Sequence, residues 1–266
     1  MSKYSTEEIA VMSPEDFRNI VRKGEWTGPN RDACRGYAFA GLAAVPKEHA
    51  YDFVLFCLRN PRPCPILDVT EPGDPHPRFV APHADVRTDF PWYRVIKDGE
   101  VIDEPTDVTP YWRDDLVAFL LGCSLGIQGA LVKANVKFRF NGIFNTNIEL
   151  TPAGQFHGRM AVSCRTFPTS EDAVRAIQIS SRLLASHGPP VHIGNPTVIG
   201  IENMTKPDFP LPVSAPPPEP HEIPLFWACA VTPQNVALES KTPYMIVQRQ
   251  GCLLPIDKLV DEIAII

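Results

Sequence analysis

Gly122-Cys123-Ser124-Leu125-Gly126 carries the GxSxG spacing of a hydrolytic serine, and Gln128 follows one helical turn after Ser124. Such a serine attacks an acyl carbon only where a strand enters the turn and a helix leaves it. The preceding residues, WRDDLVAFLLG, read instead as a helix opened by Thr109-Pro110, which disfavours that elbow. The other reading makes Ser124 the cap of a helix, SLGIQGALVKAN, whose first N–H groups and positive dipole end would hold an anion with Gln128 beside it. A capped helix with Gln128 facing solvent fits the local residues equally well.

Other polar residues sit in apolar or tightly turned surroundings. LRNPRPCPILDV places Arg62 and Cys64 among prolines; a nucleophilic Cys64 needs a base that the sequence does not identify, and packing is the simpler account. DVRTDFPWYRV groups Arg87, Asp89 and Arg94, either as an ion-pair network or around a carboxylate-binding arginine. The seven histidines show no HxxxH, HxH or Cys/His spacing, so no metal site is expected. GxGxxG and GxxxxGKS are both missing, which removes the common nucleotide loops.

The elements that must hold these residues alternate in type. Ser13-Pro14-Glu15-Asp16 predicts a helix to about Gly24, from its cap, its N1 proline and its early carboxylates. A core helix is expected from Pro46 to Asn60-Pro61. YRVIKDGEVIDEP predicts a hairpin at Asp98-Gly99, whose type I′ turn needs two positive φ angles. FRFNGIFNTNIELTPAG and GRMAVSCRTF read as strands. A helix then starts at Thr169-Ser170, with Val174, Ile177, Ser181 and Leu184 on one face, and closes at His187-Gly188. PVHIGNP and IPLFWACAVTPQ read as short apolar strands delivering polar turns. The pattern argues for an α/β fold with a ligand at the carboxyl ends of strands.

Composition bounds the class. With 266 residues, 44% apolar and 21% charged, the chain can bury a sizeable core. It has no apolar run long enough for a bilayer and no presequence signature, so a cytoplasmic protein is expected. A net charge of -6 offers no basic face, and neither nucleic acid nor a membrane is an expected partner. The seven cysteines are an odd set without CxxC spacing and read as reduced, mostly core thiols. The 29 prolines concentrate at 206–224, which predicts an extended surface connection.

Seven strings together point to a family: NRDACRGYAFAGLAAVP, DFVLFCLRNPRPCPILDVTEPGDP, DVRTDFPWYRVIKDGE, WRDDLVAFLLGCS, TNIELTPAGQFHGRMAVSCR, HGPPVHIGNP and FWACAVTPQ. In order and spacing the chain resembles the D-glutamate cyclase family from about Ser13 to Asp257. The resemblance implies a three-layer α/β/α main domain and a smaller two-layer unit. On the residues, the smaller α+β domain is placed at 137–188 and the main domain at 1–136 plus 189–266. The resemblance also implies a lyase that closes D-glutamate onto its side-chain carboxyl to give 5-oxo-D-proline and water, without metal or organic cofactor.

Departures from the family pattern share a chemical direction. Its GCSFSFE ends here in Gln128; its Tyr-Arg-Thr-Asn run is Phe144-Asn145-Thr146-Asn147; its HIGDP carries Asn195; and its ITHAPGHMFVTD loses both histidines, to Gln248 and Cys252. Carboxylates, a guanidinium and an imidazole give way chiefly to amides, which hydrogen-bond but do not exchange protons near neutrality. The resemblance therefore implies a cofactor-independent hydro-lyase or cyclase with an altered small-molecule substrate, a natural-product intermediate among the candidates. The alternatives are an unmodified D-glutamate cyclase and a non-catalytic small-molecule-binding homologue. The expected proton-transfer residues are His192 and Asp89. Substrate binding is expected from Arg87, Ser124, Gln128, Asn147, Arg165, Asn195, Trp227 and Gln234. The oligomeric state is left open, a homo-oligomer included.

Overall fold

Two segments of unbroken small and branched apolar residues, 37–46 and 116–122, set the centre of the molecule. In a computed structural model, which describes residues 3–209, 211 and 215–265, both are buried strands. In chain order the elements are α1 (Thr6–Ala10), α2 (Pro14–Arg22), β1 (Tyr37–Pro46), α3 (Lys47–Arg59), β2 (Ile66–Val69), β3 (Tyr93–Lys97), β4 (Glu100–Asp103), β5 (Leu116–Gly122) and α4 (Leu125–Lys133). There follow β6 (Arg139–Glu149), β7 (Arg159–Phe167), α5 (Ser170–Ser181), β8 (His192–Ile193), β9 (Ile223–Ala228), α6 (Thr232–Glu239), β10 (Tyr244–Gln248) and β11 (Leu254–Leu259).

The larger sheet runs β2-β5-β1-β10-β3-β4, with β11 also against β1, and its pairings are antiparallel. A parallel crossover arrangement, the usual partner of alternating strands and helices, is not what the chain adopts. Period-two alternation sends Ala40, Leu42, Leu116, Ala118 and Leu120 to one core, with Ile127 and Leu131 of α4 and Ala173 and Ala176 of α5. Ala43, Val45, Val117, Phe119 and Leu121 enter the other, with Phe53 and Phe56 of α3 and Val236 and Ala237 of α6. Helices thus cover both faces, giving an α/β fold with a three-layer main body. Phe53 packs 4.9 Å from Phe119 and 5.0 Å from Phe156, so truncation to alanine would cost about 3–5 kcal/mol.

A second antiparallel sheet has the order β6-β7-β9-β8. The segment 137–188 supplies β6, β7 and α5, and the sheet is completed by β8 and β9 from beyond residue 188. Phe209 and Ala215, on either side of residues outside the described set (210 and 212–214), donate backbone N–H to Ile143 and Phe140. Phe209 and Ala215 of the proline-rich connection thereby occupy part of the edge of β6.

Several local expectations hold in detail. Ser13 caps α2 through the N–H of Asp16, and the hairpin turn has φ 51° at Asp98 and 78° at Gly99. One does not: 109–122 is no helix but a short 3-10 turn at Thr109–Tyr111 followed by strand β5. A strand buried on both faces has no polar alternation, so its run of apolar residues imitates a helix. Helix α3 buries only Phe53, Phe56 and Cys57 and leaves Tyr51 and Leu58 exposed, so it covers the sheet from outside rather than lying in the core. On α5 the buried face is Ala173, Ala176 and Ser180, one residue out of step with the predicted stripe. Among the described residues no helix is long and apolar enough to cross a membrane.

Candidate active site

Strand β5 delivers the Gly122-Cys123-Ser124 turn into a cleft between the two sheets, so a strand does enter the GxSxG segment and a helix does leave it. The backbone nevertheless rules out an elbow of the hydrolase type. Ser124 lies at φ -66°, in ordinary right-handed space, and makes no side-chain cap to α4, which corrects its expected capping role. Its hydroxyl is 3.5 Å from the Ser163 hydroxyl and 3.4 Å from Arg165 Nη2, with no histidine among these partners. The two glycines are there for packing: a Cβ at Gly122 would meet the Ala185 carbonyl oxygen at 1.6 Å, and one at Gly126 would meet Ser186 Oγ at 2.5 Å. The 3-10 turn Leu184–Ser186 crosses at this spot, and only glycine lets it approach.

Beside the turn is a cavity of about 280 Å³. Its floor is Arg165 of β7, flanked by Ser124, Ser163 and Gln128; its walls are largely apolar, from Trp26, Leu125, Phe140, Ile143, Val231 and Leu253. Cys123, Cys229 and Gln248 also line it. Arg31 and Asp32, at its more exposed side, pair with each other at 3.3 Å.

Arg165 is fully buried, and among the described residues it has no ion-pair partner. Nη1 donates to Ser163 Oγ at 3.1 Å and Nη2 to the Ser124 carbonyl at 3.3 Å, while Nε has no partner. The guanidinium carbon sits 5.6 Å from the Phe140 ring centroid and 5.4 Å from that of Trp227. Burial pushes its pKa down to about 10, so it is still charged at neutral pH. A buried cation held by hydroxyls, a carbonyl and two rings, with one donor unused, is an anion receptor in chemical character. Trp227 Nε1 is a second buried donor without a partner.

The amides nearby are mostly occupied. Gln248, at the end of β10, accepts from the Leu42 N–H at 2.6 Å and donates to the Ala230 carbonyl at 3.1 Å. Its side chain lies over Gly41, where a Cβ would come within 3.0 Å of Nε2. Gln234 is buried behind it, donating to the Gln248 carbonyl and accepting from Arg94. Gln128 is left facing the cavity from α4, 9% exposed.

Of the residues expected to form the site, Ser124, Gln128 and Arg165 line this cavity, Trp227 backs Arg165, and Gln234 braces Gln248. The remainder lie elsewhere. Asp89, expected to move a proton, is enclosed by Arg22 at 2.5 and 2.7 Å and lies 4.0 Å from buried Arg18, which also pairs with Asp257. Burial pushes the Asp89 carboxyl up while Arg22 draws it back, and the residue ties α2 to the loop before β3. Arg87 pairs with Asp85, His192 bonds the Asn195 carbonyl at 2.7 Å and lies against Phe226, and Asn195 caps a 3-10 turn through Thr197. Asn147 lines a separate polar cleft with Asn145 and Arg159. The expectation of one shared site for Ser124, Gln128, Asn147, Asn195 and Gln234 is thus corrected to a smaller group. Sequence reasoning left out the two cavity thiols and the rings of Trp26 and Phe140. The Gly-Cys-Ser turn held a signal for Cys123.

All seven cysteines are free and buried, Cys64 among them, with its thiol pushed up by Cys57 and burial. Among the described residues no group of three or more His, Cys, Asp or Glu is arranged to hold a metal ion.

The D-glutamate cyclase family profile matches residues 117–257, which span β5, the cavity floor and β10. "Putative hydro-lyase YcsI" of Bacillus subtilis is 46% identical over 261 residues, covering 96% of this chain and all of its own. The chain belongs to the D-glutamate cyclase family. Similar proteins, each with a "Putative hydro-lyase" name, occur in Bacillus licheniformis (48% identity, 94% of this chain and 96% of that one) and Thermoanaerobacter pseudethanolicus (48%, 94% and 95%). A solved nitrogen repressor-like protein of Methanococcus jannaschii aligns at a TM-score of 0.39 and 8% identity over 91% of this chain and 94% of its own, too distant to support an argument.

Within this D-glutamate cyclase family member, two of the departures noted in the sequence fall in the cavity wall, Gln128 and Gln248. Asn145 is bonded by Asn235, Asn195 caps its turn, and Cys252 is buried. Those three lie outside the cavity lining.

Proposed function

We propose that this chain is a water-eliminating lyase or cyclase that works in the cavity over Arg165, on a small carboxylate carrying less charge than glutamate. The buried guanidinium without a counter-ion carries the reading. In a low-dielectric site a bidentate carboxylate would satisfy the unused donor and the charge together. Ser124 and Ser163 fix the guanidinium in place before the substrate arrives, which is what positioning of a reacting group requires.

The rest of the wall sets the charge limit. D-Glutamate brings two carboxylates and an ammonium. Among the described residues the interior offers one cation, while the other lining cation, Arg31, is already paired with Asp32. Gln128, at the position where the family pattern has a carboxylate, can orient a neutral polar group but not neutralise an ammonium. The hydro-lyase names of relatives at 46–48% identity support the reaction class.

A non-catalytic binding role is the second reading, favoured by the commitment of both ends of Gln248 to backbone groups. Incubation of purified protein with D-glutamate and with 5-oxo-D-proline, followed by mass spectrometry, tests the first. Little or no interconversion is expected; robust turnover of D-glutamate contradicts the altered substrate. A ligand that binds measurably and is never converted favours the binding role.

A further inference from the structure

Two strand-turn-helix junctions converge on the cavity, and each places a cysteine one residue beyond its strand. Cys123 follows β5 and precedes α4; Cys229 follows β9 and precedes α6. Both line the cavity with Arg165, whose unused Nε is the independent sign that a ligand belongs there. The Cys229 sulfur lies against the backbone N–H groups of Val231 and Ala230, and the Cys123 sulfur against that of Leu125. Cys57, Cys64 and Cys164 have no such setting and pack in the main core.

Among the described residues, the titratable side chains of the lining are Arg31, Asp32, Cys123, Arg165 and Cys229. Arg31 and Asp32 are paired and 30% and 45% exposed, and arginine does not release its proton near neutrality. The buried groups of the lining that can give up a proton are therefore the two thiols. We propose that Cys229 is the catalytic thiol of this site, meeting the substrate beside the carboxylate held by Arg165 and supplying the proton that leaves with the expelled oxygen. The proposal rests on the reading of the cavity as a carboxylate site.

The step balances. As the C–O bond breaks, the Cys229 thiol gives its proton to the departing hydroxide, which leaves as water. The thiolate then takes a proton from the substrate atom that forms the new bond: nitrogen in ring closure, carbon in elimination. Burial pushes Cys229 up to about 11 and Cys123 to about 12, so both start protonated, as a donor must. Arg165 draws both thiols down, whereas two backbone N–H groups, of Val231 and Ala230, face the Cys229 sulfur against one, of Leu125, at Cys123, which eases the thiolate stage at Cys229.

Alkylation of the folded full chain, mapped cysteine by cysteine by mass spectrometry, tests this. In that reaction sulfur displaces iodide, and the thiol proton passes to buffer. Iodoacetamide should label Cys229 before Cys57, Cys64 and Cys164, and 5-oxo-D-proline should slow that labelling at least tenfold. The ratio of iodoacetate to iodoacetamide rates at Cys229 should fall at least tenfold in Arg165→Met. Labelling of Cys229 no faster than of Cys57, Cys64 and Cys164, or modification of Cys123 in its place, overturns the thiol's role. Rapid Cys229 labelling with no change of ratio in Arg165→Met instead overturns the carboxylate reading and leaves the thiol's exposure to the cavity established.

Discussion

The guanidinium of Arg165 lies 5.4 Å from the centre of the Trp227 ring, and both side chains are fully buried. Trp227 gives the cation a polarizable face but no counter-charge, and each residue keeps a donor nitrogen without a partner. Stability alone would favour a neutral residue at 165. That cost is understandable if the charge is completed by a ligand.

Asp89 is predicted to matter for folding and not for the cavity. Asp89→Asn removes the charge that Arg22 and the Asp85 N–H engage, while Arg18 keeps its bidentate pair with Asp257, at a cost of about 1.5–3 kcal/mol. Urea denaturation should show the loss, while affinity for 5-oxo-D-proline stays within about twofold of wild type. A normal stability curve with lost affinity would assign Asp89 to the site.

The GxSxG glycines are predicted to fail by collision. Gly122→Ala drives a methyl into the Ala185 carbonyl and should give insoluble or unfolded protein, whereas Ser124→Ala should melt within a few degrees of wild type. Thermal melts of the two variants check this. An unperturbed Gly122→Ala protein would contradict the close approach of the Leu184–Ser186 turn.

Acid sensitivity should come in part from His187. It is buried, bonds the Arg62 carbonyl through Nδ1, and has its pKa pushed from 6.5 down to about 4 by burial. The unfolded chain takes up this proton below pH 6.5 and the folded chain does not until about pH 4, so stability falls as pH drops through that window. The full effect is about 3 kcal/mol. At φ 81° the position accepts asparagine more readily than other side chains, and His187→Asn should lose correspondingly less stability between pH 6.5 and 4 in urea titrations. Parallel losses in both proteins would count against the buried neutral imidazole.

What the residues disclosed follows the range of the forces involved. The turn at Asp98-Gly99 and the cap at Ser13 were legible because a few adjacent residues determine them. Strand β5 was not, because its two buried faces remove the alternation that marks a strand. Arg87 and Arg165 look alike as sequence; only the fold gives one a partner in Asp85 and leaves the other without one. The cavity brings together residues from near Trp26 to Leu253, and such long-range convergence leaves no local spacing to read. Gln128 and Gln248 are visible as departures from a family pattern, whereas nothing in the local sequence separates their neighbours Cys123 and Cys229 from the other reduced, mostly core thiols.

The carboxylate site itself is tested most directly by calorimetric titration of wild type and Arg165→Met with 5-oxo-D-proline and D-glutamate. Wild type should bind the singly charged lactam at least tenfold more tightly than D-glutamate, and Arg165→Met, at least as stable as wild type, should bind it about 10- to 100-fold more weakly, the worth of a charged hydrogen-bonded contact. Equal binding by the two proteins, or a preference for D-glutamate, would contradict a cavity built around one buried cation.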